Sequence, residues 1–204
     1  GRAGHGEDAV VSLRRAVALK PDLPQAWLAL GDHLSATGDT QAAEAAYASH
    51  IRFATRDPEL LGAAAALCEN RIPEAEAALR AHLKKAPTDV AAMRMLAEVA
   101  ARLGRDEDAE HLLARCLKLA PGFHAARQNY ALVLFRGNKP AQALAEVDSL
   151  LAIDAANPGY RNLKAVVLSR IGDYEPAIAI YSAIVREYPH NPKIWLGYGP
   201  ALKT

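Results

Sequence analysis

The residue types able to do chemistry are spread thinly along this 204-residue chain. Histidines stand at His5, His33, His50, His82, His111, His124 and His190. A zinc site needs several imidazole, thiolate or carboxylate donors at compact spacing, as in H-E-x-x-H, and none of the seven is so placed. His50 and His82 form the one pair worth weighing as metal ligands, and packed or half-exposed imidazoles account for them better. Cys68 and Cys116 lie 48 positions apart, which fits neither a C-x-x-C metal site nor a disulfide framework. Without a His and an acid fixed beside either thiol they read as buried small hydrophobes, not nucleophiles. The acidic runs Asp106-Glu107-Asp108 and Glu74 with Glu76 could be paired carboxylates for acid and base work. Their place at the start of apolar-periodic segments makes compensation of a helix dipole the better account. The glycines are dispersed as turn residues, and no Gly-rich loop follows a strand to cradle a phosphate. We therefore expect no catalytic residue, no cofactor and no metal in this chain.

The arginines are different, because they are periodic. Arg102, Arg136 and Arg170 recur every 34 residues. With Arg94, Arg127 and Arg161 they could form a basic ladder for an acidic peptide or a chain carboxylate, since guanidinium groups bind carboxylates in bidentate fashion. The competing account is local: a cation near the end of a helix suits its negative terminus. The formal charge of the whole chain is only +1, which removes the usual footprint of nucleic acid or an anionic membrane as partner. No apolar run approaches the roughly 18 residues of a membrane span, and there is no secretory signal. A cytoplasmic, reducing compartment is the expectation from the cysteine usage.

Elements that would position these residues follow from the same period. Aligned on prolines, the chain gives Pro21, Pro87, Pro121, Ala155 in place of a proline, and Pro189, with steps of 34 after Pro87 and a step of 66 before it. Within each unit a large residue, a small residue, a turn residue, an alanine and a second large residue recur. They read Trp27, Gly31, Gly38, Ala43, Tyr47; Met93, Ala97, Gly104, Ala109, Leu113; Arg127, Ala131, Asn138, Ala143, Val147; and Arg161, Ala165, Gly172, Ala177, Tyr181. Two antiparallel helices of about a dozen residues explain this, since neither can bury its apolar stripe alone and each pair must stack on the next. Gly38, Gly104 and Gly172 are expected to end first helices with positive φ, and Asp39, Asp106 and Asp173 to cap the second helices.

A 34-residue helix-turn-helix period of this kind resembles the tetratricopeptide repeat family. The resemblance implies an all-α, right-handed superhelical solenoid of antiparallel helix pairs, about eleven to twelve helices in a single array over 1–204. Its units would be 1–23 (a second half), 24–57, 58–89, 90–123, 124–157 and 158–191, with 192–204, carrying Trp195, Tyr198 and Gly199, as the first helix of a truncated unit. In this family the first helices line a concave groove. That places Asp32, Arg94, Glu98, Arg102, Gln128, Arg136, Asn162 and Arg170 in the groove, with Arg127 and Arg161 beside them where a bulky apolar residue is usual. Leu28 with Asp32, and Arg94 with Glu98, stand where the carboxylate clamp of chaperone-binding members needs Lys and Asn, so that mode is not expected. The unit at 55–87 is short by two residues, which reads as a bend in the groove or as drift in a tolerant array.

The function so implied is a protein- or peptide-binding scaffold without catalysis of its own, its partner acidic where the arginine ladder takes part. NPGYRNLKAVVLSRIGDYEPAIAIY and YPHNPKIWLGYGPALKT are also similar to the repeat region of bacterial proteins in which such repeats precede a sulfotransferase domain. The chain starts GRAGHGED without Met and stops at Lys203-Thr204 inside a helical pattern, so it reads as a piece of something longer. Both ends of the stack are then expected to be open, and end-to-end homo-oligomers or swapping to follow.

Overall fold

A computed structural model describes residues 5–54 and 58–189. Those residues form eleven helices and no strand. They are α1 (His5–Leu19), α2 (Pro24–Thr37), α3 (Thr40–Ala54), α4 (Pro58–Cys68), α5 (Ile72–Lys85), α6 (Val90–Arg102), α7 (Asp106–Leu119), α8 (His124–Arg136), α9 (Pro140–Leu151), α10 (Pro158–Ile171) and α11 (Tyr174–Glu187). The expected helix with Trp195, Tyr198 and Gly199 lies outside the described residues.

The helices start and stop for identifiable reasons. Pro24 and Pro158 sit in the first turns of α2 and α10, where their missing N–H is one of the unbonded donors anyway and their fixed φ suits the helix. First helices end in the left-handed region, with φ of 88° at Gly38, 72° at Gly104 and 86° at Gly172. Asn138 and Asn70 take the same conformation at φ 57° and 58°, asparagine being the side chain that tolerates it best after glycine. Second helices stop before a proline: Ala86, Ala120 and Tyr188 leave helical geometry with φ between −125° and −134°, as the ring of Pro87, Pro121 or Pro189 requires.

Capping departs from expectation. Asp39 accepts from the Ala42 N–H at 3.1 Å, as foreseen. Asp106 lies inside α7, after Arg105 at the N-cap, and pairs with Arg136 instead. Asp173 is the N-cap of α11 by position, yet its side chain makes no cap bond. The side-chain caps with two bonds each belong to first helices: Asp89 accepts from the Ala91 and Ala92 N–H, and Asn157 from the Gly159 and Tyr160 N–H.

Two compact units emerge from the chain, one of residues 51–146 and one of residues 1–50 with 147–204. In the 51–146 unit, α4 packs on α5, α5 on α6, α6 on α7 and α7 on α8, and the first helices α4, α6 and α8 also touch in sequence. Its core is built of Leu60, Leu67, Ala75, Leu79, Met95 and Val99, continued by Met93, Ala97, Ala109, Leu113, Cys116 and Val133. The alanines at the helix-to-helix closest approach, Ala75, Ala97, Ala109 and Ala131, have no exposed surface, which explains the small residues recurring there. Burying each of the larger side chains contributes about 1.5–3 kcal/mol.

In the other unit α1 packs on α2 and α10 on α11, and α2 also packs on α10. Val17, Leu30, Leu34, Ala43 and Ala46 form its N-terminal core, with Trp27 and Tyr47 half-buried against them. Gly31 is required there, since a Cβ would lie 2.4 Å from the Tyr47 ring. No helix among the described residues is long and apolar enough to cross a membrane.

Candidate functional site

In the 51–146 unit the sequence-predicted groove residues fall on α6 and α8. Arg94, Glu98 and Arg102 follow one another by single turns along one side of α6, with Glu98 between the two guanidiniums, 3.5 Å from Arg94 and 2.6 Å from Arg102. Their exposure differs. Arg94 is buried at 7%, while Arg102 is exposed and also donates to the Leu67 carbonyl at the end of α4 at 2.9 Å. On α8, Gln128 is half-buried, Leu132 is 40% exposed, Phe135 is half-buried, and Arg136 reaches Asp106 on α7 at 3.0 Å. One turn-by-turn strip of α8 thus offers an amide, an apolar side chain and a cation.

Arg127 and Arg161 are turned to their own hairpins. Arg127 pairs with Glu146 on α9 and donates to the Pro121 carbonyl at 2.8 Å. Arg161 donates to both carboxylate oxygens of Glu187 on α11 at 2.8 and 2.9 Å. Charged pairs here replace the apolar contact that a bulky residue would make. On α10, Asn162 is half-buried and Arg170 exposed.

Cations also bridge consecutive hairpins of the 51–146 unit. Arg105 reaches Glu76 at 2.7 Å and Lys139 reaches Glu110 at 2.6 Å, a contact that repeats with the sequence period. Both glutamates sit on the preceding second helix, so the same cation-to-carboxylate bridge recurs at each of these two hairpin junctions.

The remaining histidine and cysteine readings resolve into packing. His50 is buried with Nδ1 2.7 Å from the Pro24 carbonyl oxygen, and His82 is buried with Nε2 3.0 Å from Asp89. Cys116, at the matching place in its unit, is buried with its Sγ 3.4 Å from the Val90 carbonyl oxygen. Each side chain ties a second helix to the start of a first helix, across 26 residues for His50 and Cys116. No cluster of three metal-binding side chains occurs among the described residues. Cys68, expected to be buried, is exposed at the end of α4, 34 residues before the exposed Arg102 that ends α6, so it stands at the helix-terminal place of the repeat and not at a small-residue place. Burial pushes the Cys116 thiol up to about 11 and raises that of Cys68, the opposite of an activated nucleophile.

One polar cluster was not foreseen from the sequence. Asp32, expected in the groove, is 5% exposed inside the unit that joins α1–α3 to α10 and α11. The Tyr47 hydroxyl donates to its Oδ1 at 2.8 Å, and the Asn157 Nδ2 donates to its Oδ2 at 3.1 Å across 125 residues of sequence. Asn157 is itself 2% exposed and uses its side-chain oxygen to cap α10, so one residue both starts the helix and fastens it to α2. Nearby, His33 Nδ1 lies 2.8 Å from the Tyr188 hydroxyl. Burial raises the Asp32 carboxyl from 3.8 to about 6, against the lowering effect of its bonds from Tyr47 and Asn157, and the charge of Asp154 adds to the rise. Burial lowers the pKa of His33, opposed by Asp154 and Glu187. The only local sign in the sequence was an aspartate at a position that elsewhere holds Glu98, Leu132 and Val166.

Comparison with known proteins agrees with this architecture. Family models described as tetratricopeptide repeat match residues 1–58 and 60–122, and a further one matches residues 107–167. Among solved structures the chain is similar to TTC0263, a thermophilic TPR protein in Thermus thermophilus, at 21% identity and a TM-score of 0.60, covering 89% of this chain and 100% of that one. It is similar to YrrB, described as a TPR protein with an unusual peptide-binding site, at 15% identity and a TM-score of 0.61, over 94% and 98% of the two chains. The APC/C hetero-tetramer Cut9-Hcn1 gives 17% identity and a TM-score of 0.65, over 98% of this chain and 40% of that one. No curated protein matches. At these identities the structures establish the fold alone, and the matched residues establish the family: the chain belongs to the tetratricopeptide repeat proteins.

Proposed function

We propose that this array is a protein- or peptide-binding scaffold, without catalytic activity of its own, and that in the 51–146 unit the binding face is the exposed side of α6 and α8. The observation that carries the reading is the α8 strip, where Leu132 stands 40% exposed one turn from Gln128 and one turn from Arg136. An apolar anchor between an amide and a cation suits an extended segment that offers one apolar residue and a carboxylate. Arg102 and Arg136 are exposed and held in surface ion pairs, worth only about 0–1 kcal/mol each, so a partner's carboxylate can take over either guanidinium at small cost. Arg94, being buried, shapes this face without offering its charge. YrrB and Cut9-Hcn1 are described with a peptide-binding site and a protein partner, which makes the same class of partner reasonable here.

The test is an array of synthetic peptides that vary acidic and apolar content, probed with the purified chain. Peptides with one apolar residue flanked by Asp or Glu should be retained, and the double variant Arg102→Glu, Arg136→Glu should weaken them by at least tenfold. Equal retention of basic peptides, or unchanged affinity in the double variant, removes the face assignment.

Two narrower readings rest on single observations. A role as the non-catalytic arm of a sulfotransferase rests on the resemblance read from the sequence of 157–202 alone, and the coding sequence past Thr204 decides it. Val11 and Leu19 on α1 are 66% and 78% exposed, which supports self-association through that helix. Strictly monomeric light scattering at millimolar concentration would exclude it.

A further inference from the structure

In an array of stacked hairpins each first helix needs only its sequence neighbours, so a buried contact between α2 and α10 calls for its own explanation. Its polar part centres on Asp32. Asp32 takes one bond from Asn157 of the α10 N-cap and one from Tyr47 of α3. A Cβ at Gly159 would stand 3.6 Å from the Asp32 carboxyl carbon, so the first turn of α10 lies against this carboxyl. We propose that the Asp32 contact of α2 with the N-terminal turn of α10 is a proton-controlled latch, closed when the carboxyl is protonated and loosened when it ionises.

The groups facing the latch come from every element packed on it. From α3 there is the neutral Tyr47 hydroxyl, and from the turn before α10 there are Asn157 and Asp154, the latter an anion. Tyr160 on α10 feels the Asp32 charge, and burial raises its own pKa. His33 on α2 touches Tyr188, and it feels Asp154 together with Glu187, itself paired with Arg161. The two hydrogen-bond donors on Asp32 are thus both neutral, and the charge next to it has its own sign. Among the described residues no cation faces Asp32, so its ionised form is a buried anion whose charge favours any opening that lets water reach it.

The sign follows from the direction of the shift. Because the closed-state pKa, about 6, stands above the 3.8 of an exposed aspartate, the closed state is favoured fully in acid. That preference is lost as pH rises through about 6. His33 acts oppositely at lower pH, since its lowered pKa means that protonating it opposes closure. Rising pH thus loosens closure through Asp32 and favours it through His33, so a loss of closure between pH 5.5 and 8 belongs to Asp32. Opening would uncover Asp32 on α2 while leaving α6 and α8 as they are, so the latch stands independently of the binding face.

Hydrogen exchange of the Gly159 and Tyr160 amides, corrected for intrinsic rates, reads the latch directly. Both amides are bonded to the Asn157 cap in the closed form. In the native chain their protection should fall about fourfold from pH 5.5 to 8, because most of the effect of a shift from 3.8 to about 6 is already spent below pH 5.5. Amides of α6 serve as the reference and should not change. Asp32→Asn, which keeps the shape and removes the titration, should hold the acid-level protection at both pH values. Asn157→Ser, which keeps a capping oxygen and loses the reach to Asp32, should lower protection at both. Protection independent of pH in the native chain, or the same pH dependence in Asp32→Asn or Asn157→Ser, overturns the latch.

Discussion

The 51–146 unit and the unit of α1–α3 with α10 and α11 use the same hairpins and are held together by different rules. In the first, the helix contacts join the same or adjacent hairpins: helix packs on next helix, first helix touches next first helix, and Arg105 meets Glu76 and Lys139 meets Glu110. Its exposed ion pairs sit over an apolar core and add little to it. In the second, a buried carboxyl fastens α2 to α10 across 125 residues. A periodic sequence can therefore encode a non-periodic contact with two or three substitutions, at the cost of burying a group that titrates.

The comparison says that hairpin cores are equivalent in the two regions, and the largest predicted effect tests that equivalence. Leu79 and Tyr181 occupy the same place in their units and are 0% and 1% exposed. Leu79→Ala should cost about 2–5 kcal/mol and Tyr181→Ala about 3–5 kcal/mol in urea denaturation. Trp27, expected to be an anchor of the same kind, is only half-buried, its indole N–H donating to the Pro21 carbonyl at 2.7 Å, so Trp27→Ala should cost less than Tyr181→Ala. A Trp27 effect above that of Tyr181 would break the comparison.

A smaller effect separates the regions through their helical glycines. Gly31 touches the Tyr47 ring that holds Asp32, whereas nothing lies within 4 Å of a Cβ added at Gly62 on α4. Gly31→Ala should destabilise by about 1–3 kcal/mol through overpacking. Gly62→Ala should stabilise by about 0.5–1 kcal/mol, the ordinary gain of Ala over Gly inside a helix. Thermal melts of the two variants moving in the same direction would contradict this reading.

What could be read from the sequence follows the same division. Helix starts at Pro24 and Pro158, turns at Gly38, Gly104 and Gly172, and small residues at Ala109 and Ala177 were legible because the physics is local and repeats. Asp106 failed as a cap because Arg105 takes the N-cap position and Asp106 pairs with Arg136, whereas Asp173 takes the N-cap position but its side chain makes no cap bond. The exposure of Cys68 was legible too, had it been aligned with Arg102, Arg136 and Arg170, which follow it at steps of 34 and stand at or next to the ends of their helices. The arginine period was plain, yet which guanidiniums face solvent depends on acids from other helices: Glu146 takes Arg127, Glu187 takes Arg161, and Glu98 with burial holds Arg94. The Asp32–Asn157 bond carried no periodic signal, since each residue has a sufficient local role, one as a helix-face aspartate and the other as an N-cap.

A double-mutant cycle on Asp32 and Asn157 tests the non-neighbour contact most directly. Asp32→Asn, Asn157→Ser and the pair of them would be compared by urea denaturation at pH 5.5 and pH 8. A coupling of about 0.5–3 kcal/mol, different at the two pH values, is the predicted result. Additivity within about 0.3–0.5 kcal/mol at both pH values would show that α2 and α10 are not fastened by this bond.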